Sequence, residues 1–451
     1  MHSRVATFKD TIFACATGPG AGALAIVRLA GPEALEIGQR IAPSAKTRQS
    51  HRLELTKIVD ENQGLLDEGM VVEMHAPRSY TGEDIVEFHL HGAPIIVERL
   101  SATLRAHGAR LAQPGEYTLR AYVNGKLDLA QAEAVADLIA ARSDSELRLA
   151  GAQLNGSFSN DLNMLIDGME GVLRDWQAVL DFPEYPSGDG LVAGHRKTLE
   201  DISCRIQEKI TKARIDVLRG REIVLCGAPN VGKSTLLNAL AGERRVLVDK
   251  DPGTTRDPVR VEFAQDSQRW ALWDTAGIRE GSSELEQQGI ELSFDRIKRA
   301  DLALWLLAAD NPVFPPENLP VRLAVSKSDL LAEKELANLV EKIKSKDLHF
   351  VGAFSAQTGT GLDNLAEALN SYNALEEGEC DGIVVRERHL ELLKMADSSL
   401  SQLLQAYDGG QSLDVLAMDL QESIEYMGQI LGRDVKVEIL DQIFSHFCIG
   451  K

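Results

Sequence analysis

One segment of the 451-residue sequence has the spacing of a phosphate-binding loop. It runs from Gly227 to Ser234 and reads GAPNVGKS, which matches the pattern G-x-x-x-x-G-K-S. In this pattern backbone N–H groups curl around phosphate oxygens, the lysine reaches the β- and γ-phosphates, and the serine hydroxyl is a ligand for Mg²⁺. The apolar segment REIVLCG precedes the loop and TLLNALAG follows it. This strand-then-helix context favours a nucleotide site over a glycine-rich turn.

Two further motifs follow the loop at the spacing of nucleotide-sensing switch segments. The first is GTTRD at 253–257, where a threonine hydroxyl could complete the Mg²⁺ shell and sense the γ-phosphate. The second is DTAG at 274–277, after an apolar segment. Asp274 can hold Mg²⁺ through water, and the N–H of Gly277 can meet the γ-phosphate in the triphosphate state alone, which is how such loops switch.

The choice of base depends on SKSD at 326–329. A carboxylate at Asp329 accepts hydrogen bonds from guanine N1–H and N2–H, which adenine cannot offer. Ser326 stands where Ras-like and translational GTPases usually carry asparagine, so we expect a weaker purine contact beside an intact discriminating aspartate. SAQ at 355–357 is similar to the backbone loop that reads guanine O6. Together these motifs predict binding of GTP rather than ATP.

The predicted nucleotide contacts follow directly from these motifs. They are Asn230, Val231, Gly232, Lys233, Ser234, Thr235, Asp249, Thr254, Thr255, Asp274, Thr275, Ala276, Gly277, Ser326, Lys327, Asp329, Ser355, Ala356 and Gln357. The predicted Mg²⁺ ligands among them are Ser234 and Thr255.

The negative charge that develops on the phosphates during hydrolysis must be neutralised by a group other than an arginine finger in this protein. Ile278 occupies the position where Ras-like proteins place a water-orienting glutamine, and the sequence offers no arginine finger that can be named. Asn230 resembles the residue that recruits K⁺ in cation-dependent GTPases, where the ion acts as an arginine finger does. The alternative is that Asn230 braces the loop. The predicted K⁺ ligands are Asn230, Asp249, Asp251 and Thr254, and the two aspartates could strengthen the site or misplace the ion.

Composition limits the compartment and the partners. The 48 basic and 68 acidic residues give a net charge of −20, so RNA binding would need a local basic patch or a partner that supplies one. Five scattered cysteines without a C-x-x-C pair favour a reducing compartment. The sequence shows neither a signal peptide nor an apolar run of membrane length, so we expect a cytoplasmic protein without a membrane segment.

The periodicity of apolar residues changes along the chain, and these changes predict a multidomain α/β and α fold. Short alternating segments at 1–118 indicate an α+β domain, and helical periodicity at 119–219 indicates long helices with a Pro/Gly-rich break at 181–190. Residues 220–375 alternate strands with helices, which is typical of a parallel Ras-like sheet. Helical periodicity returns at 376–451. We therefore expect a helical domain split by an inserted P-loop GTPase domain.

The flanking segments resemble those of the bacterial tRNA-modification GTPase family MnmE, also called TrmE, from end to end. The segments that carry the resemblance, besides the nucleotide motifs, are DTI at 10–12, AT at 16–17, SYTGED at 79–84, HG at 91–92, PGE at 114–116, KLDLAQAE at 126–133 and FCIGK at 447–451.

This resemblance implies a specific activity. The family has a folate-binding, dimerising N-terminal domain, so a homodimer is expected. With the FAD-dependent partner MnmG (GidA), in a heterotetramer, it adds a carboxymethylaminomethyl or aminomethyl group to C5 of the wobble uridine of certain tRNAs. The family uses 5-formyl- or 5,10-methylene-tetrahydrofolate as the one-carbon source, glycine or ammonium as the amine, and GTP turnover, in the bacterial cytoplasm.

The resemblance also assigns residues. Arg28, Glu87, Lys126 and Lys451 match the folate-contacting positions of the family. A carboxylate suits the pterin amide and amine, and cationic side chains suit the glutamate tail. Any one of them alone would more often be a surface charge.

Two catalytic positions are implied as well. Cys448 matches the functional C-terminal cysteine of the family, with a small buried side chain as the alternative. Glu286 matches its proposed general acid/base, with a solvated helix carboxylate as the alternative. We expect the tail to reach the folate domain. His89 and His91 share a strand face, which could suggest a metal, but no third ligand is near in sequence.

One other function is an alternative, and a further one is disfavoured. A GTP-switched RNA or ribosome assembly factor would use its N-terminal domain purely for dimerisation. A glycine-cleavage-type folate enzyme would bind folate but would not need a GTPase domain. Folate binding distinguishes the first of these from a modification enzyme.

Overall fold

A computed structural model describes residues 8–18, 20–45, 49–141, 144–182, 188–213, 221–242, 260–265, 268–274, 297, 300, 302–316, 319–345, 348–370, 384, 386–445, 447 and 450. The chain divides into two compact units. The first comprises Met1–Ile139, Gln153–Glu208 and Glu391–Lys451, and the second comprises Ala140–Ala152 and Lys209–Leu390. The second unit thus interrupts the first, as the predicted insertion requires.

The first unit begins with a six-stranded sheet of order β3-β4-β5-β2-β1-β6. Its strands are β1 (Ile12–Cys15), β2 (Leu24–Ala30), β3 (Glu54–Val59), β4 (Leu65–Met74), β5 (Ile85–His91) and β6 (Arg110–Leu111). Neighbouring strands are antiparallel except β1 and β6. Alternate residues such as Val27, Phe88 and Leu90 point into a core with helices α1 (Ala34–Ile41) and α2 (Pro94–Ala106). The opposite face carries Arg28, Glu87 and His89, because side chains alternate along a strand.

The rest of the first unit is helical. Before the sheet of the second unit the chain forms α3 (Glu116–Val123), α4 (Leu129–Ala140), α5 (Asp144–Leu154), α6 (Ser157–Asp181) and α7 (Gly188–Thr211), and after that sheet it forms α11 (Glu387–Asp408), α12 (Leu413–Ile430) and α13 (Val437–Ser445). Of these helices, α5 belongs mostly to the second unit, which includes Ala140–Ala152. Buried residues recur along α6 at helical spacing, from Leu162 to Trp176. Helix α13 packs through Phe444 on Leu129 of α4.

The structure changes two predicted boundaries. The predicted break at 181–190 ends earlier, because α7 already begins at Gly188, and the glycines lie in its first turn, where helix-breaking residues are better tolerated. The predicted domain boundary after residue 118 falls inside α3, whose Tyr117 is fully buried in the core cluster that includes Ile12 and Ile85. A helix that completes the core of the sheet cannot be divided from it. The other predicted boundaries stay predictions.

The second unit contains a six-stranded sheet of order β12-β11-β10-β7-β9-β8, in which only β8 is antiparallel. Its elements are β7 (Arg221–Gly227), α8 (Lys233–Gly242), β8 (Arg260–Gln265), β9 (Gln268–Asp274), β10 (Leu302–Ala308), β11 (Arg322–Ser326), a short 3₁₀ turn (Ser328–Leu330), α9 (Glu333–Lys344), β12 (Phe350–Ala353) and α10 (Leu362–Asn370). Strand β10 is buried throughout, which explains its continuous apolar run. Loops that follow parallel strands meet at one edge of the sheet, so the topology gathers the GAPNVGKS, SKSD and SAQ segments there.

Across the helices of the described segments, none combines the length and the apolar character needed to cross a membrane.

Candidate functional site

The phosphate-binding loop connects the end of β7 to the start of α8. A β-carbon at Gly227 would lie 2.6 Å from the carbonyl oxygen of Leu306, and its φ is +136°, so glycine is required where the loop leaves the sheet beside β10. Asn230 has a φ of 60°, in the left-handed region, and its side chain is exposed at the loop tip. Such turns direct successive N–H groups into a concavity that suits an anion.

Lys233 lies inside this concavity. Its side chain is buried, and its Nζ donates to the carbonyl oxygens of Gly227 and Ala228 at 3.1 and 3.2 Å. Both acceptors belong to the loop itself, so the ammonium is already held where a phosphate would enter. Ser234 and Thr235 are exposed in the first turn of α8.

The side chain of Ser326, which was predicted to lie near the purine, forms a hydrogen bond to the phosphate loop. Its hydroxyl, 2% exposed, donates to the carbonyl of Val231 at 2.6 Å, with the carbonyl of Leu307 at 3.2 Å as a second acceptor. The segment that should read the base is therefore tied to the segment that should read the phosphates. From the sequence we expected that serine in place of the usual asparagine would weaken the purine contact. The hydrogen bond from Ser326 to the phosphate loop was not predicted.

The two predicted base-reading loops are joined to each other. Lys327 has a φ of 56°, and its Nζ lies 3.4 Å from Asp310. The backbone N–H of Ser328 donates to the carbonyl of Phe354 at 3.1 Å, which attaches the SKSD turn to the SAQ loop. Asp329 is exposed beside this junction, as are Gln357 and, in part, Ala356, whereas Ser355 is buried.

Of the remaining predicted nucleotide, catalytic and tail residues, most lie outside the described part of the chain. Asp274 is the last residue of β9 and pairs with Leu225 of β7, so its backbone lies near the start of the phosphate loop. The following predicted residues lie outside the described part of the chain: Asp249, Asp251, Thr254, Thr255, Thr275, Ala276, Gly277, Glu286, Cys448 and Lys451.

The sheet of the first unit carries a second candidate site. Arg28 and Glu87 are register partners on β2 and β5, and the Nε of Arg28 donates to Oε1 of Glu87 at 2.8 Å. The guanidinium lies over the rings of Tyr80 and Tyr117, at 5.9 and 5.6 Å from their centroids. Its two terminal nitrogens donate no hydrogen bond to any of the residues that the structure describes. A half-buried cationic fork with free donors is suited to a carboxylate or carbonyl group of a ligand.

Burial disfavours the charged form of both tyrosines. It raises the pKa of Tyr117 well above its ordinary value, and it also raises the pKa of Tyr80, although a hydrogen bond from Thr118 and the charge of Arg28 partly offset this. The hydroxyl of Tyr117 donates to the backbone carbonyl of Arg28 at 2.7 Å. The rings thus support Arg28 both at its backbone and at its guanidinium.

The other predicted folate residues lie apart from this pair or cannot be placed. The Nζ of Lys126 donates to the carbonyl of Pro77 at 3.1 Å, in the loop that also carries Tyr80. His89 binds Glu87, whereas the Nδ1 of His91 lies 2.8 Å from Oδ1 of Asp67. The two histidines are thus held by different carboxylates.

The C-terminal tail reaches the sheet at one described residue. Gly450 has a φ of +97°, and a β-carbon there would lie 2.6 Å from the carbonyl oxygen of Cys15 on β1. Phe447, just before it, packs on Phe444 with ring centroids 5.3 Å apart. The tail therefore lies against the N-terminal domain, as expected, at the end of the strand next to Arg28.

Arg120 anchors a charge network that sequence reasoning missed. Its guanidinium is fully buried and binds Glu116, Asp10 and Glu83 at 2.9, 2.9 and 3.2 Å. Burial acts to raise the pKa of Glu116, but hydrogen bonds from Arg110 and Arg120 outweigh it and hold that pKa below the usual range. Glu116 of PGE and Glu83 of SYTGED thus brace the fold rather than line the ligand site. The i, i+4 spacing of Glu116 and Arg120 was the available signal.

A phosphate loop at the edge of a mainly parallel sheet, joined to an aspartate-bearing base-reading turn, defines a P-loop GTPase. The comparisons with known proteins specify the family. A family model described as MnmE helical domain matches residues 129–448, and one described as GTP-binding protein TrmE N-terminus matches residues 11–126.

Curated relatives match along nearly the whole chain. The tRNA modification GTPase MnmE of Thermotoga maritima is 36% identical over 98% of this chain and 100% of its own length. That of a Synechococcus strain is 40% identical over 99% of both. A solved structure of Era from Aquifex aeolicus, 26% identical, covers 40% of this chain and 66% of its own with a TM-score of 0.29.

The chain belongs to the MnmE family of tRNA modification GTPases. This confirms the predicted GTP hydrolase of tRNA modification and the predicted fold class.

Proposed function

We propose that the chain is a K⁺-stimulated GTPase that acts with the FAD-dependent partner MnmG (GidA). Together they add a carboxymethylaminomethyl or aminomethyl group to C5 of the wobble uridine of certain tRNAs. The supporting observation is that one chain combines a phosphate loop with a sheet that presents the Arg28–Glu87 pair beside two tyrosine rings. An assembly factor would need the loop and not the pair.

The nucleotide roles follow from the loop geometry. Lys233 offers its ammonium to the β- and γ-phosphates, and Ser234 and Thr255 offer hydroxyls to Mg²⁺. Asp329 accepts from guanine. Asn230 is exposed at the loop tip, where its amide oxygen can coordinate K⁺ together with Asp249, Asp251 and Thr254. The ion would stabilise charge that develops on the phosphates. Glu286 remains the proposed acid/base.

The residues around Arg28 fit a tetrahydrofolate. Glu87 can accept from the donor edge of a pterin, and the free nitrogens of Arg28 can donate to its carbonyl or carboxylate groups. The partly exposed ring of Tyr80 can pack against the pterin, whereas the buried ring of Tyr117 supports Arg28 from behind. When bound, 5-formyl- or 5,10-methylene-tetrahydrofolate supplies the one-carbon unit. The chain binds and orients it, with Lys126 and Lys451 as further contacts and Cys448 as a catalytic group.

The proposed homodimer is supported by an apolar patch on the same sheet face. Leu55 of β3, Met70 of β4 and Leu24 of β2 are 64%, 47% and 52% exposed. Leu55 is the register partner of Met70, which in turn pairs with His89 of β5. Contiguous exposed apolar side chains of this kind mark interaction surfaces. The proposed assembly with MnmG is a heterotetramer, tRNA is the substrate, and the location is the bacterial cytoplasm.

The same patch favours the second candidate, an RNA or ribosome assembly factor that uses this domain purely for dimerisation. Calorimetry with 5-formyltetrahydrofolate and the full chain distinguishes the two. Binding by the wild type that is lost in Arg28→Ala and Glu87→Gln, but kept in Arg40→Ala on the exposed face of α1, supports the modification enzyme. No binding by the wild type would favour the assembly factor.

A further inference from the structure

We propose that His89 is a positioning residue that holds the Glu87 carboxylate for the folate and makes folate affinity depend on pH. This inference rests on the proposed function of the Arg28–Glu87 site. His89 lies two residues after Glu87 on β5 and therefore on the same face of the sheet. Its Nε2 lies 3.2 Å from Oε2 of Glu87, whereas Oε1 accepts from Arg28.

The carboxylate is thus held at both oxygens. A carboxylate with one partner can rotate about its terminal bond, whereas donors on both oxygens fix its plane and direct its remaining lone pairs. All three side chains are largely buried, with 22%, 13% and 19% exposure for Arg28, Glu87 and His89. Removing the imidazole would leave Oε2 of Glu87 without its described donor.

The contact also fixes the tautomer of the ring. An ionised carboxylate can only accept, so the proton of neutral His89 must be on Nε2. Nδ1 is then an acceptor. When the ring gains a proton, Nδ1 becomes a donor and the ring carries a positive charge beside Glu87. The same side chain therefore presents two different hydrogen-bonding edges to this site.

The described strand neighbours of His89 carry no charge that would compete with Glu87 for the imidazolium. The register partners of His89 are Ile26 on β2 and Met70 on β4, and both are uncharged. Ionisable groups on the surrounding elements include Cys15 of β1, Arg28 of β2, Asp67, Glu68 and Glu73 of β4, Glu87 and His91 of β5, Tyr80, Glu83 and Asp84 of the loop before β5, and Glu116, Tyr117 and Arg120 of α3. Glu73 contacts His75, and Glu83 and Glu116 pair with Arg120. Asp67 is engaged by His91, and Glu87 is the described hydrogen-bond partner of His89.

The direction of the pH effect follows. An imidazolium draws the negative charge of Glu87 toward itself and weakens Glu87 as an acceptor for the N–H donors of a pterin. It also removes the Nδ1 acceptor. Histidine changes charge between about pH 5 and 8, so affinity should fall as pH is lowered through this range. Loss of one hydrogen bond of ordinary strength corresponds to about a three- to tenfold weaker Kd.

The test is calorimetry of 5-formyltetrahydrofolate with the full chain from about pH 5.5 to 8, the range in which histidine titrates. The wild type should bind about three- to tenfold more weakly at the acid end. His89→Gln keeps a donor without a titrating charge and should bind as the wild type does at pH 8 but without the acid loss. His89→Leu removes the donor and should bind more weakly at every pH.

His75→Gln is the matched control. His75 also contacts a glutamate two residues earlier, with Nε2 3.3 Å from Glu73, but at the end of β4. It should keep the full pH dependence, which also accounts for any titration of the ligand itself. Equal pH dependence in the wild type and His89→Gln would overturn the role of His89 and leave the folate site standing. No binding by the wild type at any pH would overturn the proposed function, and this inference with it.

Discussion

Replacing Ser326 with alanine tests the tether between the base-reading turn and the phosphate loop. The hydroxyl is buried and reaches the carbonyl of Val231 at 2.6 Å. Alanine removes the donor and leaves a buried carbonyl of the phosphate loop without its described partner. A lost hydrogen bond of this kind costs about 1–2 kcal/mol, toward the upper end when the remaining partner stays dry.

This energy should appear in nucleotide affinity, because the loop must hold one shape to bind phosphates. A cost of about 1–2 kcal/mol corresponds to about a 5- to 30-fold weaker Kd for GDP and GTP. The selectivity for guanine over adenine should not change, since Asp329 is untouched. Titration of a fluorescent GDP analogue in the presence of Mg²⁺ measures both quantities.

Ser328→Ala is the control for this experiment. It makes the same chemical change two residues later, where the backbone N–H, rather than the hydroxyl, makes the described bond to Phe354. If Ser326→Ala binds GDP as tightly as Ser328→Ala does, the tether does not support the loop and the reasoning is refuted.

Three more predictions concern Asp329, Asn230 and Arg120. Asp329→Asn should shift preference from guanosine to xanthosine nucleotides, because the amide donates where xanthine accepts; equal binding of ATP and GTP by the wild type would contradict the role of Asp329. The wild type should hydrolyse GTP faster in KCl than in NaCl at equal ionic strength, and Asn230→Ala should abolish the difference; equal wild-type rates would make Asn230 a loop brace. Arg120→Met should lower the unfolding free energy of the first unit by about 3–5 kcal/mol at pH 7, because it leaves the largely buried Glu83 without its described ion-pair partner and leaves Glu116 with Arg110 alone. This loss should shrink as the pH falls, since Glu116, whose pKa lies below its usual range, contributes stability that disappears on protonation; urea unfolding at several pH values measures it, and wild-type stability at pH 7 would disprove the role of the network.

The nucleotide motifs could be predicted because their signals are local. The phosphate loop needs glycine at Gly227 and a helix that begins at Lys233, and both requirements are visible in the consecutive segments GAPNVGKS and TLLNALAG. The buried strands of the second unit were equally visible, since β10 is apolar along its whole length. Short-range chemistry and periodicity are what sequence reasoning detects best.

The supporting contacts could not be predicted because they join distant segments. The hydroxyl of Ser326 meets a carbonyl 95 residues earlier, and Tyr117 supports Arg28 across 89 residues. No spacing rule links such pairs before the fold is known. The predicted break at 181–190 was too long for a related reason: glycine content suggested a loop, but Gly188 begins a helix that the bundle stabilises by packing.

The central claim is that GTP hydrolysis by this chain serves modification of the tRNA wobble uridine. The most direct measurement is nucleoside analysis of tRNA from a strain that lacks the gene, complemented with the wild type or with Lys233→Ala. The modified wobble uridine should disappear in the deletion strain, return with the wild type, and stay absent with Lys233→Ala, which lacks the phosphate-binding ammonium. An undiminished content of the modified nucleoside in the deletion strain, or its full return with Lys233→Ala, would contradict the claim.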